Sequence, residues 1–454
     1  MRNYVMDPPH CNVWIVLAAA IAMMVLAGTD YVFATLYVPL KEHLYYNQIQ
    51  IQTVGSMRML SNLFSLATGV FHDRAGPRLT CSMGLILLVI GYSLFYMTLL
   101  RLFVVPYWVL GLFLTTLSWG TNACYTSGLS TCLKNFDPKH RGKIVGSLLC
   151  IYGMTGGLFS ALFRFVFAGN IVHFVFFMLL FCGSMPIIGI IFLSSKQQDP
   201  VNVNDERTGL LTNPNVDPSE STEDNSIIKK QVKDDNPPTY RVIMTQEFWL
   251  LSLCTFCSMG SSVCLLNNLG SVVQSYGGEE TIVAILMIIY SAASSFGRIL
   301  LGLLSDRLSQ WMSRPAFLNC CYLSIGICMF CFAYSTVPMF YVLIFLFGVS
   351  YGGMMSTTPT LIGDLWGTKH FATNVATVFL FQLLGSYLIS TVMASNIYES
   401  YIRGDGKKCR GRNCFMYTFI ICAALSIVSY TTCLVIMRRI KPKIVTKDLK
   451  KLEA

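Results

Sequence analysis

The sequence predicts an all-α membrane protein of twelve transmembrane helices, arranged as two pseudo-symmetric bundles of six. Three observations carry this reading. Hydrophobic residues make up 54% of the 454 and charged residues only 12%, where a soluble domain carries about 25% charge. The apolar residues gather into twelve runs, most of about 20 residues or more and so long enough to cross a hydrocarbon core of about 30 Å as helices. One long polar segment divides these runs six and six, and a short motif recurs in both halves, at Gly69 and again 233 positions later at Gly302.

In chain order the first six runs are 13–39, 49–71, 79–99, 104–132, 143–167 and 171–193. The second six are 248–274, 281–304, 316–336, 338–364, 371–396 and 415–437. Every backbone polar group in lipid has to be paired within the chain, so runs of this length are read as helices and an open sheet is excluded. The first run is too long for a signal-peptide core and carries polar residues within it, so it is expected to be retained. Residues 1–12 and a basic tail, 438–454, flank the two bundles of 13–193 and 248–437.

The formal charge of +10 suggests nucleic acid until its distribution is examined. With the N-terminus placed in the cytosol, the cytosolic segments collect 23 of the 33 Lys and Arg, against seven in the opposite loops and three within helices. Both termini are therefore predicted to be cytosolic, and no nucleic-acid partner is expected. Five of the seven exceptions fall in one outer loop, 397–414.

The polar segment, 194–247, holds ten acidic and six basic residues among Pro, Asn, Ser and Thr from residue 196 onward, and reads as a largely disordered cytosolic linker. Within it Glu206 stands four residues before Leu210 and Leu211. This pattern resembles an acidic dileucine signal, a receptor-read address for sorting adaptors, and predicts an endosomal or lysosomal membrane, with the plasma membrane as the alternative. Most of the 17 cysteines lie within helices as packing residues. Cys409 and Cys414 instead share the outer loop, where a disulfide persists; no His stands near them to complete a metal site.

The recurring motif reads Gly69-Val-Phe-His-Asp73-Arg74-Ala-Gly76-Pro-Arg78 in the first half and Gly302-Leu-Leu-Ser-Asp306-Arg307 in the second. Each copy ends one hydrophobic helix and leads into the next. Gly69 permits close helix packing and Gly76 with Pro77 forces a turn, which holds Asp73, Arg74 and Arg78 at the rim of the bundle. A carboxylate there can pair with a cation or with a neighbouring helix N-terminus and release it when the halves rock apart. The second copy lacks the Gly-Pro-Arg tail and is expected to matter less.

This motif resembles that of the major facilitator superfamily, and further segments resemble its nodulin-like, monocarboxylate-transporter-related branch. They are Gly28-Thr-Asp-Tyr-Val-Phe33 with Leu40-Lys41, Asn135-Phe136 with Arg141-Gly142, and Asn267-Asn268-Leu-Gly270 with Gln274-Ser275. Phe296-Gly297-Arg298, Asp364-Leu-Trp-Gly367 and the Cys409, Cys414, Phe415 cluster continue the likeness to the last third of the chain. The resemblance implies a twelve-helix secondary transporter working by alternating access. Asp30 and Asp364 depart from the pattern, so coupling and substrate do not follow from it.

Charged side chains inside the bilayer cost about 3 kcal/mol or more and usually face a cavity or a partner. Asp30 and Arg58 each lie 14 residues from the middle of the first outer loop, which sets them at similar depth in an antiparallel hairpin. Two readings of an ion pair here stand side by side: a structural clamp, or a carboxylate that carries a proton. Arg298, eight residues before Asp306, is the best single anion ligand, because a guanidinium binds carboxylates bidentately; the alternative is a gate or helix-packing Arg paired with backbone carbonyls. Tyr31, Asn122, Tyr125, Asn267, Asn268, Gln274 and Tyr351 offer uncharged contacts to a substrate.

No catalytic constellation, cofactor motif or metal-ligand spacing is present. Gly153-Met-Thr-Gly156-Gly157 and Tyr351-Gly352-Gly353 lack the Lys-Ser/Thr of a phosphate loop and sit inside helices. The sequence therefore predicts no enzyme but a secondary transporter of a small, anionic organic solute, coupled either to protons, as a symporter, or to a substrate gradient. The alternatives are a metal or metal-chelate transporter of the iron type, and a receptor or scaffold without flux.

Overall fold

In a computed structural model the chain is described for residues 12–46, 48–103, 105–137, 140–194, 236–278, 280–308, 311–401 and 409–452, and every regular element among them is helical. The first run is two helices, α1 (Val13–Gly28) and α2 (Phe33–Leu44), separated by a 3-10 turn at Thr29–Val32. Asn12 caps α1 by accepting from the Trp14 amide. The second run is divided similarly: α3 (Gln48–Arg58) gives way to a 3-10 turn at Met59–Phe64 before α4 (Ser65–Leu99). Mid-helix 3-10 turns often mark a hinge or a functional site, and these two carry Asp30 and border Arg58.

Within α4 the backbone breaks at Gly76, with φ 83° and ψ 175°. A side chain is strained at this φ, and the ring of Pro77 fixes the following residue's φ, so the helix axis changes where the sequence places the end of one run and the start of the next. Then come α5 (Tyr107–Asn135), α6 (Arg141–Phe165) and α7 (Ile171–Phe192).

The second half opens with a short helix α8 (Thr239–Ile243) and α9 (Gln246–Cys254), continued through a π turn at Thr255–Met259 into α10 (Gly260–Ser275). It proceeds through α11 (Glu280–Arg307), α12 (Arg314–Tyr334) and α13 (Val337–Trp366). α14 (Phe371–Ser386) runs through a π segment, Tyr387–Met393, into α15 (Ala394–Ser400), and α16 (Asn413–Leu452) ends the chain. The expected tail is thus mostly helix: Lys and Arg are good helix formers, so the change to basic residues near 438 ends the apolar run without ending α16.

Ten helical stretches among the described residues are long and apolar enough to cross a membrane. One of them, Thr53–Leu99, contains the Gly76 break, and α5 falls outside the ten although it has 29 residues. α5 carries Ser, Thr and Asn along most of its length, and many of these face the interior.

α4 packs on α5 and α7, and α1 on α5, α6 and α7; in the other half α11 packs on α13, and α12 on α13 and α16. The halves meet along two seams, α6 on α11 and α4 on α14. Both seams close through the motif glycines. A Cβ added at Gly302 would stand 3.2 Å from the Gly146 Cα, and one added at Gly69 would stand 2.8 Å from the Ala372 carbonyl oxygen.

Candidate functional site

A cavity of about 240 Å³ lies between the halves, room for about eight waters at ~30 Å³ each and so for a small organic solute. α5 presents Ser118, Asn122, Tyr125 and Thr126 to it. These positions follow i, i+4, i+7, i+8 on one helical face. Ser61, Asn62 and Ser65 add a second polar edge, and Asn122 Nδ2 donates to the Ser65 hydroxyl at 2.7 Å. The facing wall, from α13 and α14, is mostly apolar, with Met355, Val375 and Phe379, and is relieved by Tyr351 and Gln382.

Of the residues expected from the sequence, Asp30, Tyr31, Asn122, Tyr125 and Tyr351 border this cavity. Asp30 and Arg58 form an ion pair, Oδ2 to Nη1 at 2.5 Å. The Ser118 hydroxyl donates to the other carboxylate oxygen at 2.5 Å, Arg58 Nη1 also donates to the Asp30 carbonyl at 3.2 Å, and the guanidinium lies 5.1 Å from the Phe33 ring centroid. Arg58 does not border the main cavity. It lines a smaller one of about 30 Å³, shared with Asp30, Phe33 and Tyr92, so Asp30 borders both spaces.

Arg298 packs against a backbone carbonyl, the second of its two expected roles. It is 6% exposed, lies on the α6–α11 seam, and donates from Nη1 to the Leu149 carbonyl at 2.6 Å rather than bordering the cavity. Its Nε has no hydrogen-bond partner, and no carboxylate pairs with it among the described residues. The α10 amides also turn elsewhere. Asn267 and Asn268 donate to Ser390 at 3.2 and 3.3 Å, Asn268 also to the Cys264 carbonyl, and Gln274 is exposed near the end of its helix. A π turn holds an extra residue, so the Thr255–Met259 turn rotates α10 away from the face that a continuous α-helix would show.

The motif residues meet helix N-termini across both seams. Asp73 Oδ2 accepts from the amide and hydroxyl of Thr373, in the first turn of α14, at 2.9 and 2.7 Å, while Lys134 Nζ stands 3.4 Å from Oδ1. Asp306 accepts from the amides of Gly142 and Lys143, in the first turn of α6, at 3.1 and 2.7 Å. A carboxylate here satisfies amides that have no partner within the helix and sits at the positive end of the helix dipole. His370, which precedes α14, is held below its usual pKa by burial, against the opposing pull of Asp73.

The second copy is the richer one, contrary to the expectation from its missing tail. Arg314 donates to Asp306 at 2.8 Å and bridges on to Asp364, which also receives Arg141 at 3.3 Å. In the first copy Arg78 donates to the carbonyls of Ile191 and Leu193 and ties down the end of α7; Arg74 and Arg307 are exposed. Cys409 and Cys414 are joined as a disulfide with a Cα separation of 6.0 Å, and Gly411 N donates to the Ser275 carbonyl, which docks the loop on α10. Glu206, Leu210 and Leu211 lie outside the described residues.

Comparison with known proteins agrees with this geometry. Residues 13–210 match the Nodulin-like family and residues 251–453 the Major Facilitator Superfamily. A probable transporter MCH1 of Wickerhamomyces anomalus is 25% identical over 89% of this chain and 83% of its own length. The probable transporter MCH1 of Saccharomyces cerevisiae is 23% identical, with 86% and 87% covered; that of Neurospora crassa is 26% identical, with 67% and 66% covered. Among solved structures, the fold is similar to FucP in its outward conformation, with a TM-score of 0.67, 10% identity, and 92% and 98% of the two chains covered. It is also similar to the proton:xylose symporter XylE, with a TM-score of 0.62, 13% identity, and 92% and 94% covered. The chain is a nodulin-like transporter of the major facilitator superfamily.

Proposed function

We propose that the protein carries a small organic anion across a membrane by alternating access, with Asp30 as the proton-coupling group and Arg298 as the anion ligand. Twelve crossing helices in two bundles of six follow when Thr53–Leu99 is counted as two at its Gly76 break and α5 is added to the ten apolar stretches. The observation that carries the reading is the cavity between the halves, with a paired carboxylate on one wall and, behind another, a buried guanidinium that has no acid partner among the described residues. An unpaired buried cation is costly, and a substrate anion would compensate it.

Purified protein in liposomes tests this with a panel of small carboxylates, amines, sugars and ferric chelates under an imposed pH gradient. Uptake of a carboxylate that follows the gradient and falls at least tenfold in Arg298→Gln is expected. Metal-chelate uptake, or no flux of any solute, would overturn the reading in favour of an iron-type carrier or a receptor.

The distribution of basic residues favours cytosolic termini, and in this reading the Asp73 and Asp306 contacts and the linker lie on the cytosolic side with them. Sorting adaptors would read Glu206, Leu210 and Leu211 there and hold the protein in endosomal or lysosomal membranes. Leu210→Ala with Leu211→Ala should move a tagged protein to the cell surface at similar abundance. Imaging that finds the unaltered protein already at the plasma membrane would remove the sorting role.

A further inference from the structure

The Arg298 guanidinium lies beside the cavity yet is shut off from it. It is pinned to the α6 backbone at Leu149, and the neighbouring Gly153 leaves the space it occupies: a Cβ there would stand 3.0 Å from Cζ. Tyr152 precedes that glycine on α6, and Tyr31, Tyr125, Tyr152 and Tyr351 lie near the cation and border the cavity, which Arg298 does not. Arg298 rests over Gly153 and Tyr31 over Gly156, one turn further along the same helix. These tyrosines form the partition between Arg298 and the cavity.

Tyr31 is the movable part of that partition. Tyr125 lies within α5, Tyr152 within α6 and Tyr351 within α13, all continuous helices there, whereas Tyr31 stands on the 3-10 turn Thr29–Val32 and is 47% exposed. Its ring leans on Tyr152 with centroids 5.1 Å apart, and its Cβ rests over Gly156, where an added methyl would stand 2.6 Å away. The residue before it is Asp30, whose two carboxylate oxygens are held by Arg58 and Ser118. The clamp on the turn and the screen over Arg298 are thus adjacent residues of one short, non-α segment.

We propose that Tyr31 screens Arg298 from the cavity and that the ionised Asp30 carboxylate holds the screen shut through the Thr29–Val32 turn. The inference rests on the transport reading above and adds an order of events. A proton binds the Asp30 carboxylate and forms a neutral acid, the charge-assisted bonds to Arg58 and Ser118 weaken, and the turn is released. Tyr31 then leaves Arg298 open to the solute anion. The groups facing Asp30 are Arg58 from α3, Ser118 from α5, Tyr92 from α4 and Tyr152 from α6. Of these only Arg58 is charged, so the charge on Asp30 is what the Arg58 contact depends on.

The test needs no known substrate. A reporter thiol placed on the cavity wall as Met355→Cys is labelled with an anionic and a cationic methanethiosulfonate reagent, against a background without that thiol. The ratio of the two rates reads the potential in the cavity. The effect of Arg298→Gln on this ratio isolates the contribution of Arg298. With Tyr31 and Asp30 present that effect should be under twofold, and in Asp30→Asn, whose side chain is uncharged, at least fivefold. With Tyr31→Ala it should be at least fivefold whether residue 30 is Asp or Asn. Tyr31→Phe, which keeps the ring, should behave like the unaltered protein, and gel filtration identifies variants that fail to fold. An Arg298→Gln effect that is equal in the Tyr31 and Tyr31→Ala backgrounds, or still under twofold in Asp30→Asn, overturns the screen. Because the readout is a labelling rate, the screen can fail while Arg298-dependent uptake persists, and uptake can fail while the screen stands.

Discussion

Arg58→Gln alone should lower the yield of folded protein sharply, and Asp30→Asn combined with Arg58→Gln should restore most of it. Leaving one partner of a buried pair alone typically costs about 3 to 5 kcal/mol, whereas removing both charges is often close to neutral. The pair is enclosed enough for this rule to hold, with side-chain exposures of 10% for Arg58 and 27% for Asp30. Asp30→Asn alone is the milder single change: Arg58 keeps its bond to the Asp30 carbonyl and its contact with Phe33. Fluorescence-detected gel filtration measures the yields. The double variant then separates coupling from structure. If Asp30 carries the proton, the variant exchanges solute across equal concentrations but does not concentrate it under a pH gradient. Accumulation by a well-folded double variant would sink the coupling role and leave the pair as a structural clamp.

The pairing of Asp30 with Arg58 was legible because it depends only on helical rise and the symmetry of a hairpin about its loop, and neither is disturbed by the 3-10 turns that surround both residues. The motif was legible for a similar reason: its spacing puts Gly and Asp on one helical face, so the glycine brings a seam together and the carboxylate reaches the next helix N-terminus. Other features were hidden. The polar stripe of α5 and the Ser61, Asn62, Ser65 edge carry a period that the sequence displays, but choosing the cavity face from among several polar faces requires knowing what packs behind. Gln382 has no such signal, standing alone in the apolar stretch 378–384. Asn267 and Asn268 bond Ser390 across helices, the common use of amides in apolar helices, and the π turn behind them changes register without a residue signature. Arg298 was legible as a buried charge, but its bond to Leu149 crosses the seam between halves, which local spacing does not encode.

The second large effect is expected at the motif carboxylates. Asp73→Asn and Asp306→Asn should each loosen the end of the bundle where both lie, and Asp306→Asn should do so at least as strongly. An asparagine presents one acceptor in place of two and removes the charge that the helix N-terminus stabilises. Bonds to a charged group contribute about 1.5 to 3 kcal/mol each, net. A loss of about 2 kcal/mol moves a two-state balance roughly 30-fold toward the state with this end open. Asp306 serves two α6 amides and Arg314, and Arg314 in turn bridges to Asp364 and so to Arg141, whereas Asp73 serves one residue of α14 and a more distant Lys134. The larger network compensates for the missing Gly-Pro-Arg tail. Met355→Cys serves again as the reporter, now labelled by an impermeant reagent applied from the motif end of reconstituted protein. Its rate should rise by at least tenfold in either single variant, and further in the double. Rates unchanged in both single variants would mean that these carboxylates hold helix ends without holding the closed state, and closure would then rest on the glycine seams alone.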